Sequence, residues 1–337
     1  MSLLEQTIRR YEHRRWASEP NRRVLPFAWG LEHIGGRADE PNPRAYLDRW
    51  VVETIAHSDE WYFTTPADDY RLEDGVLTFT SAIESPWPEN NRVHARFFPA
   101  RKSGPAVVVM AQWNAGWDEH VNICRWLYRL GITSLRLSLP YHDRRAIPGH
   151  PRADHLVGPN IGLTLQANQQ AVCDVRRCIR WLEQQGYDKL GVLGTSIGSS
   201  LAFITTAHEP AIRAAALLHV STYFGDVVAN GMTTSNVWES LRTKVTPDEL
   251  RRFWAPISPY PYIQRLSGTG QQLLAISGRY DPTFWPDFSA QFFLAMKNDG
   301  VRCEIFELPC GHYSLGVPPF SWAAGYRFGT FLFQALA

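Results

Sequence analysis

The sequence predicts an α/β fold in which helices cover both faces of a mostly parallel β-sheet. From about residue 105 onward, short apolar runs, typical of strands buried on both faces, alternate with longer segments of helical patterning. Such alternation predicts βαβ units with right-handed crossovers. The predicted strands are 106–110, 133–137, 189–193, 214–220, 272–276 and 303–307. The predicted helices are about 118–130, 164–185, 197–207, 286–298 and 321–336.

The beginning of the chain is organised differently. Residues 1 to about 70 carry scattered aromatic, proline and charged residues, which predict an N-terminal extension of helices and irregular loops before a domain at 71–337. Two further strands, 76–80 and 93–98, lie on either side of a proline-rich turn. Within the domain, residues 221–268 interrupt the alternation, and a long insertion of this kind is usually a lid or a binding loop.

The composition indicates a globular protein and excludes some classes of function. Of the 337 residues, 45% are hydrophobic and 13% aromatic, which is enough for a large core. Lys and Arg total 34 against 33 Asp and Glu, so the formal net charge is +1. A nucleic-acid-binding protein usually carries a basic excess, and we therefore expect no nucleic-acid partner. The sequence also lacks the glycine-rich patterns that bind phosphate or a dinucleotide.

The cysteines and the N-terminal sequence predict a soluble cytoplasmic protein. The five cysteines are an odd number and form no C-x-x-C pair, so neither a disulfide framework nor a zinc site is expected. The first residues are charged throughout and lack the apolar core of a signal peptide. No run approaches the ~18 consecutive apolar residues of a transmembrane helix.

A candidate nucleophile, Ser196, lies in the sequence GTSIG at 194–198, between the predicted strand 189–193 and the helix that follows it. The segment fits the G-x-S-x-G pattern, in which a sharp turn raises the serine above the sheet. Glycines on either side lack the Cβ atoms that would collide with neighbouring backbone. The N-terminus of the following helix favours developing negative charge. A glycine turn with a serine helix cap is the alternative, and the strand-to-helix context favours the nucleophile.

A serine nucleophile requires a histidine base, which is itself oriented by a carboxylate. With a serine in this kind of turn, the chain order is serine, acid, histidine, which leaves His208, His219 and His312. His208 falls at the end of a predicted helix, and His219 falls within a predicted strand, where a satisfied core or edge histidine is expected. His312 follows the last predicted strand, at the sheet edge where catalytic groups gather, and we predict it as the base.

The acid is expected just after the strand that precedes the last one. Asp281, in the sequence SGRYDP, is the first carboxylate there, although an Asx-type turn before proline is an alternative role for it. Asp226, after an earlier strand, is the stronger substitute, and Asp287 is another. The three residue types occur in the expected order, each just after a predicted strand, and this favours Ser196, Asp281 and His312 as a set.

The motifs GTSIG, SGRYDP and PCGHYS together resemble the serine-dependent α/β-hydrolase superfamily, over roughly residues 75–337. The resemblance implies an esterase or lipase-like enzyme with an eight-stranded, mostly parallel sheet, and a lid at 221–268. It also implies the roles of nucleophile, orienting acid and general base for the serine, aspartate and histidine of the three motifs. Leu139-Pro140-Tyr141 and Gln185-Gly186-Tyr187 are similar to a poorly characterised domain-of-unknown-function branch of this superfamily.

The sequence departs from the family pattern at the oxyanion hole. Many members have His-Gly after the third strand, whereas this chain reads AQWNAG at 111–116. The donors are backbone N–H groups, so a change of side chain need not remove them. We expect the N–H of Ile197 as one donor and that of Trp113 or Asn114 as the other. Losing one such donor typically costs about 3–4 kcal/mol of barrier, so the identity of the second donor matters.

A second polar segment follows strand 133–137 and begins an interruption of the alternation at about 140–163. Because it also starts at the carboxyl edge of the sheet, Tyr141 and His142 are candidate substrate contacts, with a salt-bridged loop as the alternative. The adjacent pair His142 and Asp143 has no third ligand at a known spacing, so no metal site is predicted.

The sequence therefore predicts a serine hydrolase that cleaves an ester or thioester of a small acyl substrate through an acyl-enzyme. No cofactor is expected. An acyltransferase or a peptidase on the same scaffold shares the three catalytic residues and differs in what reaches the acyl-enzyme. The alternative from another class is a non-catalytic binding protein with this fold, which would be expected to lack one of the three. The acyl chain, the leaving group and self-association into a homo-oligomer stay open.

Overall fold

The computed structural model describes residues 2–19, 21–150 and 152–337 of the chain. Within these residues, nine strands form one sheet, one more than the resemblance implied. The additional strand, β1, has three exposed residues and no apolar pattern, which explains why the sequence did not predict it. The strands are β1 (Arg71–Glu73), β2 (Val76–Thr80), β3 (Arg92–Phe98), β4 (Pro105–Met110), β5 (Thr133–Leu137), β6 (Lys189–Thr195), β7 (Ile212–Leu218), β8 (Gln272–Gly278) and β9 (Cys303–Leu308).

Helices occupy the predicted positions, with ends that differ by a few residues. The α-helices are α1 (Leu3–Ala17), α2 (Pro43–Ala56), α3 (Ser58–Trp61), α4 (Val121–Arg129), α5 (Ile161–Gln184), α6 (Ile197–His208), α7 (Phe224–Asn230), α8 (Ser235–Leu241), α9 (Pro247–Phe253), α10 (Pro286–Asn298) and α11 (Phe320–Ala335). Short 3-10 helices lie at Leu31–Ile34, Asp143–Arg145, Ala255–Ile257, Tyr260–Leu266 and Ser314–Gly316. In the described parts of the chain, none of the helices combines the length and the apolarity that crossing a membrane requires.

The order of strands across the sheet is β1-β2-β3-β5-β4-β6-β7-β8-β9. The first three strands and the β3–β5 pair are antiparallel, and all pairs from β5–β4 to β8–β9 are parallel. The predicted mostly parallel α/β sheet is therefore confirmed. Parallel strands share one carboxyl edge, so the loops after β6, β7, β8 and β9 emerge beside one another.

The alternation of side chains along the central strands gives the sheet two buried faces. Val107 and Val109 of β4 pack in one hydrophobic cluster with residues of α4 and α11. Val108 and Met110 belong to the cluster on the other face, which includes residues of α5 and α6. Because successive residues of a strand point to opposite faces, a continuous apolar run such as β4 serves both layers.

The N-terminal part and the insertion after β7 both contribute to the core. Leu31, Leu47 and Tyr62 are buried in the same cluster as Val108 of the central strand. The hydroxyl of Tyr62 also donates to the carbonyl of Pro256 in the insertion, at 2.8 Å. Helices α7, α8 and α9 lie in this insertion, and its role as a lid, like the domain boundary near residue 70, stays a prediction.

A buried ion pair anchors the segment after β5. Arg145 and Asp174 of α5 are 2.8 Å apart, and both side chains are 0% exposed. The guanidinium also donates to the carbonyl oxygen of Asn90, and the hydroxyl of Ser81 donates to the other oxygen of Asp174. Every charge in this cluster is thus met by a partner, as a buried pair requires.

We expect Arg145→Ala to lower the free energy of unfolding by about 3–5 kcal/mol, because it leaves the Asp174 carboxylate buried without its cation. Equilibrium unfolding in urea, followed by circular dichroism, measures this loss. Arg242→Ala is the matched control, since its ion pair with Glu239 is half exposed and solvent-exposed pairs of this kind contribute little to stability. Equal losses in the two variants would contradict the prediction.

Candidate active site

Ser196 occupies a sharp turn between β6 and α6. Its backbone has φ 58° and ψ −122°, in the region of positive φ that residues other than glycine rarely adopt. The backbone N–H of Ser196 donates to the carbonyl of Leu218 at the end of β7, at 2.9 Å. This bond ties the turn to the neighbouring strand. Backbone strain held by surrounding structure is typical of a nucleophile at such a junction.

The two glycines of the motif are required by close backbone contacts. A Cβ atom on Gly194 would lie 2.0 Å from the carbonyl oxygen of Gly198. A Cβ atom on Gly198 would lie 2.6 Å from the carbonyl oxygen of Met110 and 2.8 Å from that of Ala111. The first contact brings the two ends of the turn together. The second packs the start of α6 against the end of β4, where the predicted oxyanion segment, residues 111–116, begins.

His312 and Asp281 contact each other as the sequence predicts. Nδ1 of His312 lies 3.0 Å from Oδ2 of Asp281, which follows β8. A carboxylate oxygen only accepts, so Nδ1 carries the hydrogen and Nε2 is left as the basic nitrogen. Phe284 stacks on the imidazole with parallel rings whose centroids are 5.6 Å apart. The ring is thereby held from its edge and from its face.

Asp281 makes further contacts that hold its carboxylate in place. Its other oxygen, Oδ1, accepts the backbone N–H groups of Thr283 at 2.7 Å and Phe284 at 2.9 Å. These bonds are the Asx-type turn that the sequence offered as an alternative role. One carboxylate makes both sets of contacts, because one oxygen accepts from the turn while the other faces the histidine.

A second histidine, His219, also lies against Asp281. Its Nδ1 is 2.7 Å from Oδ2. Its ring is 4.4 Å from that of His312, between centroids, and its side chain is 1% exposed. The sequence predicted a satisfied core or edge histidine at this position. The available signal was its position just after β7, at the same edge as the other candidates.

The two histidines have opposite pKa shifts. Burial acts to lower the pKa of His312, but the Asp281 charge and hydrogen bond, with Glu12 and Glu19, outweigh burial and raise it. Burial and the neighbouring His312 lower the pKa of His219, against the attraction of Asp281. For Asp281, burial would raise the pKa, and the two histidines outweigh burial and lower it. The carboxylate therefore stays ionised, and the positive charge is favoured on His312.

The other candidates for base and acid lie elsewhere. His208 is buried at the end of α6, where its Nδ1 contacts the carbonyl of Ile204. Asp226 lies in α7 and pairs with Arg251 at 2.7 Å. Asp287 is exposed in the first turn of α10. Among the described residues, the carboxylate in contact with the imidazole of His312 is that of Asp281.

Ser196 is connected to this group through the end of β7. Leu218 accepts its N–H, and the next residue is His219, whose carbonyl accepts the hydroxyl of Ser199 in α6. The imidazole of His219 in turn adjoins that of His312. The serine, the acid and the histidine thus follow β6, β8 and β9 at one edge of the sheet, with His219 after β7 between them.

The predicted oxyanion donors differ in whether their backbone N–H already has an acceptor. Within the described residues, the N–H groups of Ile197 and Trp113 have no hydrogen-bond acceptor in the protein. The N–H of Asn114, a residue with φ 62°, donates to Nε2 of His142 at 2.9 Å. Nδ1 of His142 faces the carbonyl of Pro140 at 2.8 Å, so both ring nitrogens are occupied by backbone. Trp113 is thus the unengaged member of the pair.

The predicted substrate contacts, Tyr141 and His142, are both 3% exposed. Burial lowers the pKa of His142 to about 4, which keeps the ring neutral and able to accept the Asn114 N–H. Tyr141 packs against Trp87 and His155, with ring centroids 5.6 and 5.1 Å apart. Burial raises the pKa of its phenol to about 12. Both residues support the loop, and their contact with substrate stays a prediction.

His219, Asp281 and His312 are also the one group in the described part of the chain with atoms spaced to hold a metal ion, all within 4.8 Å. Both Nδ1 atoms, however, face a single carboxylate oxygen at hydrogen-bond or ion-pair distances. This is how an acid orients an imidazole base. The close spacing of these three side chains is therefore explained by their contacts with one another.

Several known proteins are similar to this chain. Residues 162–312, which contain the serine, the acid and the histidine, match the model of the prolyl oligopeptidase family. An esterase of Pyrococcus furiosus is 17% identical, with a TM-score of 0.55, and the match covers 80% of this chain and 92% of the esterase. The acetyl xylan esterase 1 of a Thermoanaerobacterium species is 14% identical, with a TM-score of 0.61, and covers 85% and 94%.

A peptidase is among the similar structures as well. The acylaminoacyl peptidase of Pyrococcus horikoshii is 15% identical, with a TM-score of 0.58, and the match covers 81% of this chain but 42% of the peptidase. No curated protein sequence matches the chain significantly. The fold and the family match together confirm the resemblance to the serine-dependent α/β-hydrolase superfamily. This chain is similar to esterases and peptidases alike.

We expect Gly198→Ala to damage the site by displacing the end of β4, because the added methyl group collides with the carbonyls of Met110 and Ala111. The rate of labelling by a fluorophosphonate probe should fall at least tenfold, the effect of raising a barrier by about 1.4 kcal/mol. Gly116→Ala is the matched control in the oxyanion segment, since its Cβ meets nothing within 4 Å. Labelling of Gly198→Ala at the control's rate would contradict this reading of the turn.

Proposed function

We propose that this chain is a serine hydrolase that cleaves a carboxylic ester or thioester through an acyl-enzyme on Ser196. The observation that carries the proposal is the contact between His312 and Asp281 at the same sheet edge as a serine with strained backbone. His312 is the general base, and Asp281 orients it. A non-catalytic binding protein is less well supported, because all three residue types are in place.

The chemistry proceeds in two steps. Nε2 of His312 takes the hydroxyl proton of Ser196 as Oγ attacks the substrate carbonyl. The tetrahedral intermediate then collapses, and the departing alcohol or thiol takes the proton from the imidazole. In the second step, His312 removes a proton from the water that attacks the acyl-enzyme, and it returns this proton to Oγ of Ser196 as the carboxylic acid is released. Asp281 stays ionised throughout and stabilises the imidazolium that forms in each step.

Two backbone N–H groups are proposed to bind the oxyanion, those of Ile197 and Trp113. Ile197 begins α6, so its N–H is one of the free donors of a helix N-terminus. The Trp113 side chain is held by a bond from its indole N–H to the carbonyl of Ala153 at 3.0 Å. We favour Trp113 over Asn114 because the Asn114 N–H already donates to His142. Donors fixed in advance need no reorganisation as charge develops.

Peptide-bond cleavage is the second candidate. It is favoured by the family match and by the similarity to an acylaminoacyl peptidase. The ester proposal is supported by coverage, since this chain matches more than nine-tenths of the length of two esterases and 42% of the peptidase. Acyl transfer shares the first step and differs only in the acceptor that reaches the acyl-enzyme.

The proposed triad is tested by a fluorophosphonate probe and by substitution. We expect a stoichiometric adduct on Ser196, located by peptide mass spectrometry, and no adduct in Ser196→Ala. Asp281→Asn should cut kcat by about 10⁴-fold, because an asparagine no longer fixes the tautomer of the base. His312→Ala should be at least as severe. Asp287→Asn, an exposed alternative, should keep the wild-type kcat, and wild-type turnover in Asp281→Asn would overturn the assignment of the acid.

The class of bond is tested with matched substrates. A series of p-nitrophenyl esters with short to long acyl chains, one acyl thioester and one N-acyl-aminoacyl p-nitroanilide are compared by kcat/KM. We expect at least one ester to exceed the anilide by more than tenfold. An anilide turned over as fast as the best ester would make the protein a peptidase. No turnover of any substrate, together with no label on Ser196, would leave the non-catalytic alternative.

A further inference from the structure

We propose that Glu12, on the N-terminal helix α1, is a positioning residue that holds the loop carrying His312. The inference rests on the proposed function and deepens it, since it assigns to the N-terminal part of the chain a role in orienting the base. Glu12 does not touch the reacting atoms. It acts through the backbone of the residues that follow the histidine.

The carboxylate of Glu12 binds the loop through both of its oxygens. Oε2 accepts the backbone N–H of Tyr313 at 2.8 Å, and Oε1 accepts that of Ser314 at 2.9 Å. Ser314 begins a 3-10 helix, so these N–H groups lack partners within the loop itself. Glu12 is 1% exposed although it lies on a helix whose other charged residues are mostly exposed. Two charge-assisted hydrogen bonds to a buried carboxylate are strong, and they fix the orientation of the backbone groups that donate them.

The loop is shaped to receive this side chain. A Cβ atom on Gly311 would lie 2.5 Å from Cδ of Glu12, so the residue before His312 leaves the space that the carboxylate fills. The N–H of Gly311 donates to Oγ of Ser314 at 2.7 Å, which closes the loop around the histidine. His312 therefore follows a glycine that packs against Glu12, and it precedes two residues whose N–H groups donate to Glu12.

The segment that follows α1 makes a second attachment to the same loop. The hydroxyl of Tyr313 donates to Glu19 at 3.1 Å and accepts from Arg22 at 2.9 Å. Arg22 also pairs with Glu19 at 2.8 Å. The N-terminal part thus holds the backbone of the loop through Glu12 and the side chain of Tyr313 through Glu19 and Arg22.

The charges around His312 come from several elements. Asp281 and His219 face it from the ends of β8 and β7, and Glu12 and Glu19 act from the N-terminal part. Arg22 contacts the hydroxyl of the neighbouring Tyr313, and Arg15 lies over that ring at 5.9 Å. Together with Asp281, the two glutamates outweigh burial and raise the pKa of His312. Removing the charge of Glu12 should therefore lower the pKa of His312.

The test compares Glu12→Gln with the wild type by two measurements. The first is the pKa of His312, followed by NMR in protein labelled with ¹³C-histidine and assigned with His312→Gln. The second is the pH dependence of kcat/KM with the best ester. We expect a lower pKa, a rising limb displaced to lower pH, and a kcat reduced by about ten- to a hundredfold with little change in KM, as misplacement of a catalytic group predicts.

A purely structural role of Glu12 would lower stability and leave both pH measurements unchanged. Glu12→Asp, which keeps the charge on a shorter side chain, should restore most of the pKa while kcat stays reduced. Glu5→Gln removes a charge from the first turn of the same helix, where Glu5 pairs with Arg9, and should match the wild type in both measurements.

A folded Glu12→Gln with wild-type kcat and an unshifted pKa of His312 would overturn the proposal. Should that variant fail to fold, Gly311→Ala displaces the carboxylate from the other side and is judged by the same two measurements and the same outcome. If the wild type turns over no ester, the proposed function fails, while the titration of His312 still decides whether Glu12 acts on it.

Discussion

The site is organised around one buried negative charge, the carboxylate of Asp281. An ionised group inside a protein is tolerated only when its oxygens are met by donors or by opposite charge. Here one oxygen accepts two N–H groups of the following turn, and the other faces His219 and His312. The burial of Asp281 thus requires the turn after β8 and the loops after β7 and β9 to converge. The orientation of the His312 imidazole follows from satisfying this charge.

The parallel sheet explains why these groups meet at all. β6, β7, β8 and β9 are neighbours, and each is followed at the same edge by Ser196, His219, Asp281 or His312 respectively. Residues far apart in the chain become adjacent because the strands that precede them are paired in register. The helices packed on both faces leave this edge to the loops, where side chains with special backbone conformations are tolerated.

The sequence predicted the parts of this arrangement that depend on local pattern. The hydrophobic patterns located the strands from β2 to β9 within a few residues. The signal was clearest for the central strands β4 to β8, because a strand buried on both faces needs continuous hydrophobicity. The order of serine, acid and histidine placed the three candidates at strand ends. β1 was missed because its three exposed residues carry no apolar signal. The contacts of His219 and Glu12 were missed because each joins residues that are distant in sequence, which no local pattern records.

The choice between Trp113 and Asn114 as second oxyanion donor shows the same dependence. Both residues lie in the segment 111–116 after β4, and the sequence favoured neither of them as the proposed donor. What separates them is His142, whose Nε2 engages the Asn114 N–H.

The loop that carries His142 is itself held by an ion pair with the sheet. The side chain of Asp143 pairs with Arg136 of β5 at 2.7 Å, with exposures of 4% and 1%. Arg136 also donates to the carbonyl oxygens of Gly116, the last residue of the predicted oxyanion segment, and of Glu119, just beyond it. One buried arginine therefore links the predicted oxyanion segment to the loop whose His142 accepts the Asn114 N–H. The proposed reactive groups come from short motifs, whereas charged residues outside those motifs hold the neighbouring segments, Arg136 beside residues 111–116 and Glu12 beside His312.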